Sequence, residues 1–87
     1  MLAIVAVKDV VKITAALAEK YPDNHLLLAA GQWLVASEAT AQDVSKNLGI
    51  TDGTNGSAIV LSFQTYFGRT NPQVWEWIAT KMETTRG

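Results

Sequence analysis

The chain has no cysteine, and only one histidine, two prolines and seven basic residues among its 87. Without cysteine there is no disulfide, no thiolate zinc site and no cysteine nucleophile. With His25 as the lone histidine, a histidine-rich metal site cannot form within one chain. Seven Lys and Arg against eight Asp and Glu leave a formal charge of −1, so the basic surplus of a dedicated nucleic-acid binder is missing. Ser37, Ser45, Ser57 and Ser62 lack the Gly-x-Ser-x-Gly context of a nucleophile elbow. The glycines at Gly53 and Gly56 lack the lysine and spacing of a phosphate-binding loop. Met1 to Val7 is too short to span a membrane and has neither a basic flank nor a small-residue cleavage site. It reads as a first strand, and the chain as a soluble cytoplasmic protein with no membrane partner.

What is present is apolar. Hydrophobic residues make up 48% and charged residues 17%, which suits one folded domain over residues 1–87 and not a disordered segment. Strand-like runs at 1–7, 25–30, 33–38 and 57–63 alternate with helix-like stretches at 10–21 and 40–48, and a further helix is expected at 72–83. The order β-α-β-β-α-β-α predicts an α+β, ferredoxin-like βαββαβ sandwich with an additional C-terminal helix.

Local signals fix the boundaries. Asp9 is placed to cap the first helix with its side-chain oxygen, and Val10, Ile13, Leu17 and Tyr21 fall on one face of it. Pro22 stops that helix. Gly31-Gln32 suits a two-residue hairpin loop with glycine first. Thr40 caps the second helix with Asp43 three residues on, and Gly49-Ile50 predicts a Schellman ending. Residues 51–56 read as a mobile polar loop. Asn71-Pro72 opens the last helix as cap and first-turn proline.

The strands carry apolar residues on both sides. Ile59, Leu61 and Phe63 are expected to meet the first two helices, which cover one sheet face only. The other face then needs the third helix, a second subunit or a ligand over it, because large exposed apolar patches are rare on monomers. On the third helix Val74, Trp75, Ile78 and Met82 form a stripe, with Trp77 about 200° of rotation from Trp75. An arc that wide suits contact with two surfaces, so Trp75 and Trp77 are the candidate interface residues, one tryptophan docked on its own sheet and the other near a partner chain. Both can equally be intramolecular core.

Three places can carry chemistry. Asp9 ends the first strand and can hold a divalent metal if a dimer mate brings a second carboxylate; a simple helix cap is the commoner use. Gln64 to Asn71 sets Tyr66, Phe67 and Arg69 ahead of an asparagine-capped helix, where a guanidinium can hold phosphate while a base stacks on a ring. The competing use of that segment is packing of its aromatics on the third helix. His25 reads as a surface or hydrogen-bonding residue.

At Ala6-Val-Lys-Asp-Val10 and at Trp33-Leu-Val-Ala-Ser-Glu-Ala-Thr-Ala-Gln-Asp-Val44 the chain resembles the ferredoxin-fold proteins related to the small CRISPR-associated adaptation subunit and its bacterial relatives. The pattern covers roughly residues 1–63. The resemblance implies a symmetric dimer and would make Asp9 the metal-binding aspartate of a metal-dependent nuclease. From the residues themselves the expectation is a small binding or scaffolding module, a homodimer with no cofactor. Its interface is Trp77 with sheet-face residues, and any ligand contacts Tyr66, Phe67, Arg69 and Asn71. Nucleic-acid binding without cleavage through 64–71 and contact with a different protein partner stand beside it.

Overall fold

The computed structural model describes the backbone of residues 1–86 and side chains through Met82. Its elements are β1 (Leu2–Lys8), α1 (Val10–Lys20), β2 (His25–Ala29), β3 (Gln32–Val35), α2 (Ala41–Asn47), β4 (Ser57–Ser62) and α3 (Pro72–Arg86). The four strands form one antiparallel sheet in the order β2-β3-β1-β4. The fold is thus α+β, and β3 lies between β1 and β2, which α1 connects.

The core forms where α1 and α2 meet one sheet face. Leu2 and Ile4 of β1, Trp33 and Val35 of β3, Ile13, Ala16 and Leu17 of α1, Val44 of α2 and Leu48 at its C-terminal cap are buried in one cluster. On α1 the buried line is therefore Ile13, Ala16 and Leu17; Val10, expected on that face, is exposed, and Tyr21 is half-buried beyond the last turn.

β4 faces the opposite way from the expectation. Val60 pairs with Ile4 and Ala58 with Ala6, so Ala58 and Val60 pack on the core, while Ile59 and Leu61 lie on the other face with Val5 and Ala3 opposite them. Both alternating sets of β4 are apolar, so the period alone does not choose between them; register against the larger Leu2 and Ile4 does.

Three boundaries differ from the expectation, and for the first the register shows the cause. The hairpin loop is Ala30-Gly31, one residue earlier than expected, because a bulge between Leu27 and Ala29 moves the pairing so that Ala29 faces Gln32. Only the second loop residue, Gly31, has a positive φ, 78°. β3 ends at Val35 rather than at residue 38, and α3 runs past 83 to Arg86. Among the described residues no helix is long and apolar enough to cross a membrane.

The end of α2 follows its sequence signals closely. Thr40 accepts the Asp43 amide at 3.1 Å, although no reciprocal bond from the Asp43 side chain forms. At the other end the Ile50 amide donates to the Ser45 carbonyl at 2.9 Å and the Gly49 amide to that of Lys46 at 3.1 Å. With Gly49 at φ 74° this is a Schellman motif, and Ile50 folds back into the core. The polar segment after it is held in place. Asn55 donates from its side chain to the Leu48 carbonyl at 2.8 Å and from its amide to that of Gly49 at 2.9 Å.

Candidate functional site

The second sheet face is where coverage runs out. Leu34 of β3 and Ile78 of α3 are buried there, outside the main core cluster. A cavity of about 400 Å³ between sheet and helix is bordered by Leu28, Leu34, Phe63, Trp75 and Ile78, among others. α3 therefore covers the β2–β3 half. On the β1–β4 half Val5, Ile59 and Leu61 remain 37%, 55% and 49% exposed. Val5 sits directly across from Ile59, so these residues form one contiguous apolar strip. Sequence alone does not separate Ile59 and Leu61 from core residues, because both alternating sets of β4 are apolar.

The segment between β4 and α3 links to the helix through aromatic contacts. Phe63 meets Tyr66 edge-on at 6.1 Å between centroids, and Tyr66 stacks on Trp75 at 5.7 Å with 17° between planes. Asn71 caps α3, its Oδ1 accepting the Gln73 amide at 2.9 Å and its carbonyl accepting that of Val74 at the same distance. Tyr66, Phe67, Gly68, Trp75 and Ala79 border an open hollow of about 470 Å³. Phe67 itself is fully exposed, and Arg69 after it is exposed. The structure thus brings Tyr66, Phe67 and Trp75 together. Trp77 is half-buried on α3.

Asp9 departs from its expected role. It precedes α1 as predicted, but with φ 62° and ψ 51° it is left-handed, and its side chain makes no capping bond. An N-cap carboxylate normally reaches the helix amides from an extended backbone. Here the backbone carbonyl of Asp9 accepts from Lys12 at 3.1 Å and Ile13 at 3.2 Å instead. Two non-local features impose this turn. The β1–β4 pairing slips between Ala6 and Lys8, and Gly56 presses so close that a Cβ there would stand 2.7 Å from Asp9 Cβ. Among the described residues no group of three His, Cys, Asp or Glu side chains converges to hold a metal ion.

Two further polar groups serve the scaffold. His25 Nδ1 lies 2.6 Å from the Tyr21 carbonyl, joining the end of α1 to the start of β2. The Thr54 amide donates to Asp52 at 2.9 Å, and this bond, helped by the Thr54 hydroxyl, holds the exposed Asp52 carboxyl below the ordinary carboxylate range.

No protein family, curated protein or solved structure matches this chain.

The Asp9 geometry makes an opposite-sign test. Asp9→Gly is expected to raise stability by roughly 0.5–1 kcal/mol, since glycine carries no left-handed penalty. Denaturant unfolding reads this; a capping carboxylate would instead lose a few tenths of a kcal/mol.

Proposed function

We propose that this chain is a small cytoplasmic binding module that works as a homodimer, and that its contact surface is the uncovered half of the sheet. The strip of Val5, Ile59 and Leu61 carries the reading, since an apolar strip on a central and an edge strand is costly to leave in water. Trp75 and Trp77 are the contribution of α3. The strand order β2-β3-β1-β4 with two helices on one face supports a ferredoxin-like sandwich, to which α3 adds a partial third layer. The resemblance to small CRISPR-associated dimers would imply the same frame. The left-handed Asp9 favours a turn over a metal ligand.

Sedimentation equilibrium tests the dimer. The wild type is expected at twice the monomer mass, and Ile59→Lys at the monomer mass with unchanged circular dichroism. A wild type that stays monomeric at every concentration would refute the module as stated.

A second reading rests on the exposed Phe67 beside the Tyr66–Trp75 stack. A single-stranded oligonucleotide can lay a base on such a surface while Arg69 meets its phosphate and Asn71 lines the approach. Under it, Arg69→Ala weakens oligonucleotide binding and lowers the salt slope by about one. Binding indifferent to salt, or none, removes this reading.

A further inference from the structure

β4 closes one margin of the sheet, and we infer that its outer edge is completed by β4 of a second copy, antiparallel about a two-fold axis at Val60. The inference deepens the homodimer reading and rests on it. The register shows which backbone groups are free. The Phe63 amide donates to the Met1 carbonyl at 3.1 Å, which places that pair at a hydrogen-bonded position of the β1–β4 ladder. In an antiparallel ladder such pairs alternate. Leu61 and Ile59 therefore bond inward to Ala3 and Val5, and Ala58, Val60 and Ser62 turn their N–H and C=O groups outward. Among the described residues no backbone or side-chain hydrogen bond engages these three outward positions.

This edge lacks the usual guards. Exposed edges are normally blunted by charge, proline or a bulge. Ser-Ala-Ile-Val-Leu-Ser has no charge and no proline, and its only slip lies at the first residue, where Ser57 faces Lys8. The opposite edge differs: β2 carries a bulge at Leu28, and Asn71, Gln73 and Val74 of the α3 start stand beside it.

The uncharged Ser57–Ser62 edge suits a second copy of this chain, because a two-fold axis brings like residues together and here no charge meets its own kind. With Val60 facing Val60 of the second copy, Ala58 faces Ser62 at each end, and all three outward positions find partners. Sliding the axis by a residue leaves at least one of them unpaired. The same register sets Ile59 opposite Leu61 of the second copy on the exposed face, so the apolar strip gains cross-strand neighbours. No like charges oppose one another, and a net charge of −1 adds little repulsion.

Amide hydrogen exchange read by NMR, alongside sedimentation, tests the pairing on the full chain. In concentrated protein the amides of Ala58, Val60 and Ser62 should exchange at least about tenfold more slowly than in dilute protein. Val60→Pro removes an outward donor and leaves the bonds to β1 in place, so it should be monomeric with Ile59 and Leu61 amides still protected. A dimer whose Ala58, Val60 and Ser62 amides exchange as fast as in the monomer overturns the edge pairing while leaving the homodimer standing. A dimer that survives Val60→Pro does the same. Protection of these amides in the dilute monomer also overturns it, since the edge would then be covered within one chain. A protein monomeric at every concentration overturns both.

Discussion

A four-stranded sheet with apolar side chains on both faces needs two covers, and α1 with α2 supplies one. This constraint governs the rest of the structure. On the first face Leu2, Ile4, Trp33 and Val35 meet Ile13, Leu17, Val44 and Leu48, and every one of them is buried. Burial of such side chains contributes on the order of 1.5–3 kcal/mol each, which is where a domain this small finds its stability. The second face is left to α3, whose buried anchor is Ile78 against the Leu34 side of the sheet.

That partial cover explains why structure and function converge on β1 and β4. α3 starts beside β2, where Asn71, Gln73 and Val74 stand next to Leu26, Leu27 and Leu28, and buried Ile78 borders the same cavity as Leu34, so the helix lies over the β2–β3 half. Val5, Ile59 and Leu61 stay outside its reach, on the same margin where β4 offers unpaired backbone. A partner strand on the β4 edge satisfies the unpaired backbone and brings the apolar strips of the two copies side by side.

Much of this was legible in the sequence wherever the cause is local. Thr40, Gly49-Ile50 and Asn71-Pro72 act within five residues of themselves, so the ends of α2 and the start of α3 lie where their residue types place them. The order of the elements follows from hydrophobic period in the same way. Features set across the sheet were not legible. The inward side of β4 depends on its register with Leu2 and Ile4, the hairpin loop on a bulge in β2, and the left-handed turn at Asp9 on the approach of Gly56. The candidate site divides along the same line. Tyr66 and Phe67 stood out as aromatics between a strand and a capped helix, whereas Ile59 and Leu61 looked like ordinary core until the pairing showed their side.

The two-sided inequality of the sheet is the central claim, and methyl relaxation by a freely diffusing nitroxide measures it most directly. Methyls of Leu2, Ile4, Leu17 and Val35 should be sheltered at all protein concentrations. Those of Val5, Ile59 and Leu61 should relax strongly in dilute protein, and concentrating the protein should lower the effect at Ile59 and Leu61, which gain cross-strand neighbours, more than at Val5. Shelter of Ile59 and Leu61 already in the dilute monomer would contradict the account, because the second face would then be closed by the chain itself.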